Sequence, residues 1–286
     1  MRRYPEWLKQ SFSSHGVARE VRGLIDDLQL TTVCESAVCP NLRECYAQRQ
    51  LTFMILGDRC TRSCRFCAVD HGRPLAVDED EPRRVAEAVQ RLGLQHVVIT
   101  SVARDDLPDE GVGHFVRVIQ VVRQQNPGVT IECLIPDFHA REPLLTQMVD
   151  IGRPDVFAHN IETVERLSDL VRPQANYHRS LHVLAFAAST QSGALVKSSV
   201  MVGLGETPDE LIHTFQDLVR ARVTHLTIGQ YLRPDPDHLP VMEYVSPQRF
   251  RLYEALAYEH GFEWVTAGPF VRSSYHAVDA LKTVAS

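Results

Sequence analysis

Hydrophobic and polar positions follow two periods along this chain, and the switch between them repeats. Val17, Val21, Leu24, Ile25 and Leu28 share one helical face, which predicts a short amphipathic helix over 17–28. Residues 31–50 hold polar residues and cysteines without a clear period and read as a loop. Leu51-Thr-Phe-Met-Ile-Leu56 reads as a buried strand, and Gly57 allows a turn at its end. Pro82 then opens a helix with Val85, Val89 and Leu92 on one face, ended by Gly93, and strand 96–100 follows. Phe115, Val118, Ile119 and Val122 mark the next helix, closed by Pro127-Gly128 ahead of strand 129–135. Helix 142–150, strand 155–159, helical patterns over 162–171 and 178–190, and strand 195–202 continue the rhythm. Thr207-Pro-Asp-Glu210 is a capping box for a helix reaching about Arg222. Strand 225–229 is the sixth, Arg233 to Pro240 is a proline-rich loop, and a helix from Ser246-Pro247 and a short apolar run, Phe262 to Ala267, close the chain.

Six strands alternating with helices imply a parallel sheet with both faces covered. Periodicity alone leaves an open doubly wound sheet and an incomplete (β/α) barrel as alternatives. Both place functional loops at the C-terminal ends of the strands. No repeat, low-complexity tract or linker divides the 286 residues, of which 44% are hydrophobic and 23% charged. A net charge of −6 favours neither nucleic acid nor an anionic membrane as partner. Two arginines follow Met1 with no apolar run behind them, so neither a secretory signal nor a transmembrane segment is expected, and a cytoplasmic protein is.

Six of the seven cysteines lie between Cys34 and Cys67, in two triplets: Cys34, Cys39 and Cys45, then Cys60, Cys64 and Cys67. Soft thiolates at such spacing bind iron–sulfur clusters or zinc rather than forming a secreted disulfide framework. A structural zinc takes four protein ligands, so a set of three leaves one position open. The second triplet, CxxxCxxC on the loop after the first strand, resembles the signature of the radical S-adenosylmethionine enzymes, with Phe66 at the aromatic position before the last cysteine. That resemblance implies a [4Fe-4S] cluster on Cys60, Cys64 and Cys67 whose fourth iron takes S-adenosylmethionine and yields a 5′-deoxyadenosyl radical. The alternative is a zinc loop that borrows a distant ligand such as His71.

The first triplet narrows the resemblance. CxxxxCxxxxxC ahead of CxxxCxxC, together with Pro5-Glu-Trp-Leu-Lys9, Arg104-Asp-Asp-Leu-Pro108, His159-Asn-Ile-Glu-Thr163, Val171-Arg-Pro173, Gly203-Leu-Gly-Glu206, Ile228-Gly-Gln-Tyr-Leu232 and Arg272-Ser-Ser-Tyr275, is similar to the lipoyl synthases over nearly the whole length. It implies a second, auxiliary [4Fe-4S] cluster on Cys34, Cys39 and Cys45, with Ser274 as its fourth ligand. Residue type alone would make Ser274 a turn or cap residue. The resemblance further implies a sulfurtransferase of lipoate biosynthesis. It would insert two sulfur atoms, at the sixth and eighth carbons of an octanoyl chain, from the auxiliary cluster, using two S-adenosylmethionines per product. The octanoyl group would ride on a lipoyl-carrier domain, the glycine cleavage H protein or a 2-oxoacid dehydrogenase E2, and a low-potential donor would supply electrons. Nucleic acid and membrane are not expected as partners.

Cofactor contacts are expected from Phe66, Ser101, Asn160, Glu162, Arg172 and Gly203, with a helix N-cap as the competing role for Asn160. Lys197 could pair with a carboxylate or with cluster charge, or sit solvated on the surface. Cys133 reads as a small core residue, and adjacent Asp105 and Asp106 as loop contacts to S-adenosylmethionine or turn caps rather than a catalytic pair. Tyr46, Ala103, Glu110 and Asp235-Pro236 depart from the usual family pattern, with Tyr46 in place of a tryptophan and Glu110 of a glycine; none is a proposed ligand. The expected fold is α/β, a partial (β/α)6 TIM-type barrel over 51–260, with an N-terminal cysteine-bearing arm over 1–50 and a tail over 261–286 that closes the site. Rivals are a biotin-synthase-like sulfurtransferase on a free small molecule and a non-catalytic iron–sulfur electron carrier.

Overall fold

The computed structural model describes residues 4–9 and 16–282; residues 1–3, 10–15 and 283–286, which include the ends of the expected arm and tail, lie outside the described residues. Seven strands form one sheet in chain order: β1 (Thr52–Ile55), β2 (His96–Ser101), β3 (Thr130–Leu134), β4 (Val156–Ala158), β5 (Leu195–Val202), β6 (His225–Gln230) and β7 (Trp264–Gly268). Every neighbouring pair is parallel. Such pairs need crossovers, supplied here by α4 (Glu81–Leu92), α5 (Val112–Gln125), α6 (Glu142–Thr146), α7 (Glu165–Val171), α8 (Tyr177–Ser189), α9 (Pro208–Arg220) and α10 (Pro247–His260). Their ends follow the local chemistry. Gly93 caps α4 in the left-handed conformation, Thr207 and Glu210 form the reciprocal capping box of α9, and the Ser246 hydroxyl caps α10.

The register separates the two faces of the sheet. Val97, Ile99, Ile131, Cys133, Phe157, Val196, Val200, Leu226, Ile228 and Val265 face the helices in one continuous core. The alternate positions on the concave face are mixed: Thr100, Ala158, Ser199, Thr227, Gly229, Thr266 and Gly268 are small or polar, while Met54, Val98, Leu134, Met201 and Trp264 are large.

β7 extends the expected six strands and carries the sheet past residue 260. Its few large apolar residues and small alternate positions hide the strand period, and it forms by extending the β6 ladder from His225–Trp264 to Gly229–Gly268. No ladder joins β7 to β1 among the described residues, so the barrel is open along that seam. The tail after β7 packs on the inner side of β6 and reaches β1: an added Cβ on Gly229 would stand 2.2 Å from the Val271 carbonyl, the Thr52 hydroxyl bonds Ser274 at 2.8 Å, and the Ala280 carbonyl lies 3.2 Å from His225 Nε2. Helix α1 (Gly16–Asp27) packs Val21, Leu24 and Ile25 into the same core, so the arm is part of one body with the barrel. Residues 31–50 are more regular than a loop, with α2 (Val33–Ser36) and α3 (Leu42–Ala47) each a short helix carrying cysteine.

Candidate active site

The first triplet is gathered by α2 and α3. The Thr32 hydroxyl caps α2, which holds Cys34, and the Cys39 amide bonds the Cys34 carbonyl at 3.0 Å; Cys45 lies in α3. Thr32 also bonds the buried Tyr46 hydroxyl at 2.7 Å, giving that departure from the family's tryptophan a polar partner. The tail completes the site. Asn41 Nδ2 donates to the Phe270 carbonyl at 2.6 Å, and the Tyr275 hydroxyl bonds Glu44 at 3.1 Å. Cys34, Cys39, Cys45, Thr52, Arg272 and Ser274 consequently line one small pocket that is partly open to solvent. Burial, with neighbouring thiols and acids adding, pushes Cys34 and Cys45 up to about 12, so both stay protonated at neutral pH until a metal replaces the proton. Burial lowers the guanidinium pKa of Arg272, and the adjacent Cys39 thiol opposes that shift.

The second triplet lies on the loop after β1, opened by Leu56 and Gly57 at positive φ. Backbone bonds from Cys60 to Asp70 and from Gly72 to Cys60 pinch off the loop's base. Cys60 Sγ accepts from the amides of Ala103 at 3.3 Å and Arg62 at 3.4 Å, and the Cys67 carbonyl faces His238 Nε2 at 2.9 Å. Burial raises Cys64 to about 12 and Cys67 to about 11. Phe66 packs with Val164, Leu167, Val171, Leu204, Tyr231 and Leu239, anchoring the loop to a second apolar cluster.

Neither triplet is drawn in to the spacing of a single zinc ion. Two thiolates on one tetrahedral zinc stand about 3.8 Å apart, from Zn–S bonds of ~2.3 Å. Among the described residues, the only set of three or more His, Cys, Asp or Glu ligand atoms all within 4.8 Å of one another is Asp105, Glu110 and His139. Each cysteine triplet is therefore spread more widely, as the corners of a polynuclear cluster are. His71, the candidate extra zinc ligand, is exposed and meets Cys60 through a backbone bridge.

Beside Cys64, the chain after β4 pairs again with β5 through Glu162 and Val200, holding Glu162 at φ 66°. Asn160 Nδ2 donates to Glu162 at 3.0 Å, which is a side-chain contact and not a helix cap. Desolvation pushes the Glu162 carboxyl up, with Arg172 and Asn160 opposing. Arg172 is 4% exposed; its Nη1 donates to the Asn160 carbonyl at 3.2 Å and to Ser180 at 3.3 Å. Asn160 Oδ1, Arg172 Nε and Nη2, and the Ser101 hydroxyl at the end of β2 are all buried with no hydrogen-bond partner among the described residues. Burying polar groups in this way is costly unless a ligand satisfies them. Gly203 is glycine for packing reasons: φ is 96°, an added Cβ would stand 2.2 Å from Gln230 Nε2, and its amide donates to Glu206 at 2.6 Å.

Several side chains have roles that their positions in the sequence do not announce. Arg62, inside the CxxxCxxC loop, holds Asp105 through two 2.8 Å bonds and Asp137 at 2.8 Å, while Arg104 holds Asp106 at 2.8 and 2.9 Å. Asp105 and Asp106 are thus separate arginine clamps that brace the loops, neither caps nor a catalytic pair. Lys197 is not a surface residue. It is 1% exposed on the concave face and bonds Glu132 at 2.9 and 3.1 Å, with His96 3.7 Å from the same carboxylate.

The Radical SAM superfamily matches residues 54–218, more than half of the chain. A lipoyl synthase from Caldanaerobacter subterraneus subsp. tengcongensis is 51% identical over 275 residues, 96% of each chain. The chain belongs to the lipoyl synthase family. The lipoyl synthase from Thermus thermophilus is 49% identical over 96% of this chain and 86% of its own. Among solved structures, the FeFe-hydrogenase maturase HydG from Carboxydothermus hydrogenoformans superposes with a TM-score of 0.58 at 13% identity, covering 93% of this chain and 78% of HydG. Methylornithine synthase gives 0.55 at 15% identity, covering 74% and 69%. These two share the fold with the lipoyl synthase chain, a parallel α/β barrel left partly open. No described helix of the lipoyl synthase chain is long and apolar enough to cross a membrane.

Proposed function

We propose that this chain is a lipoyl synthase that inserts sulfur at the sixth and eighth carbons of an octanoyl group held on a lipoyl-carrier domain. The observation that carries this reading is the pocket lined by Cys34, Cys39, Cys45 and Ser274, which joins the two ends of the chain. Three thiols spread more widely than the ligands of one ion, with the Ser274 hydroxyl lining the same pocket, suit an auxiliary [4Fe-4S] cluster. The alkoxide is the harder base and the weakest tie to cluster iron. Cys60, Cys64 and Cys67 would hold the other cluster, which leaves one iron for S-adenosylmethionine. When bound, these groups supply an adenosyl radical able to take hydrogen from an unactivated C–H bond, and the sulfur that replaces it.

The protein's part is binding and exclusion of water. The free Nε and Nη2 edge of Arg172 presents two parallel donors to an anionic group such as the carboxylate of S-adenosylmethionine, while Asn160 Oδ1, Glu162 and the Ser101 hydroxyl offer partners to its polar atoms. No side chain is required as an acid or base, because these C–H bonds carry no acidic proton. Carrier domains of the glycine cleavage H protein or 2-oxoacid dehydrogenase E2 type, a low-potential donor and a cytoplasmic setting complete the reading.

Mass spectrometry of an octanoylated carrier domain, after anaerobic incubation with S-adenosylmethionine and a low-potential reductant, tests it. The expected result is a carrier that has gained two sulfurs. No gain on a competent carrier, with dethiobiotin consumed instead, would favour a biotin-synthase-like activity.

A further inference from the structure

A directed chain of hydrogen bonds runs behind Arg172. His159, 5% exposed at the end of β4, has Nδ1 at 2.9 Å from the Ile135 carbonyl and Nε2 at 3.0 Å from Ser180 Oγ. A carbonyl only accepts, so Nδ1 carries the proton and Nε2 is the acceptor. The Ser180 hydroxyl must then donate to Nε2, which leaves its lone pairs for Arg172 Nη1 at 3.3 Å. Each role follows from the Ile135 carbonyl, so the order Arg172 to Ser180 to His159 to Ile135 runs one way only. Burial lowers His159 to about 4, so it stays neutral at physiological pH and keeps this direction. Ser180 is fully buried on α8 and His159 follows β4, so two rigid elements fix the chain. With Nη1 committed to Ser180 and to the Asn160 carbonyl, the Nε and Nη2 edge is the part of the guanidinium left without a partner, in the field of Glu162 and Cys64.

The structure assigns His159 and Ser180 as positioning residues, which act through Arg172 to hold its free edge ready for S-adenosylmethionine. This rests on Arg172 as a contact to that cofactor, and the two ideas can fail separately. A long, flexible side chain that must be ordered on binding loses affinity to entropy, whereas one already fixed does not.

The test is the S-adenosylmethionine affinity of anaerobically reconstituted protein, measured by equilibrium dialysis and by the change that S-adenosylmethionine produces in the EPR spectrum of the reduced cluster. Ser180→Ala is expected to weaken binding roughly tenfold, the usual scale for losing one hydrogen bond to a charged group. Iron content and KM for the octanoylated carrier should not change. His159→Leu, at the far end of the chain, should give a similar loss. Arg172→Gln should weaken binding more, and adding Ser180→Ala to it should cost nothing further. Unchanged affinity in both Ser180→Ala and His159→Leu overturns the assignment. So does a Ser180→Ala loss that is just as large in the Arg172→Gln background, since the hydroxyl would then act elsewhere. Unchanged affinity in Arg172→Gln alone removes Arg172 as a contact, and the positioning role with it.

Discussion

Replacing Lys197 by methionine probes a buried ion pair on the concave face of the sheet. Lys197 and Glu132 are each 1% exposed and bond at 2.9 Å on the concave face, with His96 3.7 Å from the carboxylate and the Trp264 ring 5.9 Å from the ammonium. Burial alone would raise the Glu132 carboxyl, but the charge of Lys197, its two bonds and the nearby His96 outweigh it and hold the group below its usual range. Lys197→Met keeps most of the apolar stem and strands a buried carboxylate, which typically costs ~3–5 kcal/mol. At ~2–4 °C per kcal/mol for a chain of this size, Tm should fall by roughly 10 °C. The pH dependence identifies the cause. In the variant, desolvation raises the folded-state pKa of Glu132 above its unfolded value. A group raised in this way contributes stability at low pH that is lost as pH rises through the folded pKa. The gap to wild type should therefore be widest near pH 8 and narrow toward pH 6, as Glu132 takes up a proton. Lys197→Met combined with Glu132→Gln removes both charges and should recover most of the loss. Thermal unfolding of anaerobically prepared protein across that range is the assay. A loss below about 1 kcal/mol, or one equally large at pH 6 and pH 8, would refute the reasoning.

Three further outcomes follow from the sites. Ser274→Ala should abolish sulfur insertion while S-adenosylmethionine cleavage to 5′-deoxyadenosine continues, and Ser274→Cys should retain cluster iron; chromatography of the two reactions separates them. Gly229→Ala sets a Cβ against the Val271 carbonyl, where the ideal position is 2.2 Å away, so the tail must shift. A cost of ~1–3 kcal/mol and faster proteolysis after residue 268 are expected. In metal-free protein, Cys34, Cys45 and Cys64, pushed up to about 12, should react with iodoacetamide at pH 8 roughly a hundredfold more slowly than an ordinary cysteine. Those rates should climb as pH rises toward 10, followed by peptide mass spectrometry.

Much of the fold was legible because its strands are short apolar runs between capped helices. The Thr207 capping box and the strand at 195–202 stand where the pattern places them. β7 was hidden because an edge strand with threonine and glycine on its inner positions lacks the apolar period, and α2 and α3 because each is too short to show one. The candidate site divides in the same way. Cysteine spacing marks both triplets without reference to tertiary structure. Residue type alone read Ser274 as a turn, and family resemblance was needed to place it with cysteines more than two hundred positions away. Lys197 shows the limit in the opposite direction, since a lysine in an apolar run gives no sign that Glu132 waits two strands away. Asp105 and Asp106 read as neighbours, yet they turn to different arginines.

The most direct test of two separate clusters is iron and acid-labile sulfide per chain after anaerobic reconstitution, in wild type and in a Cys34→Ala, Cys39→Ala, Cys45→Ala variant. Two four-iron centres predict about eight irons in wild type and about four in the variant. About four in both would contradict the auxiliary site.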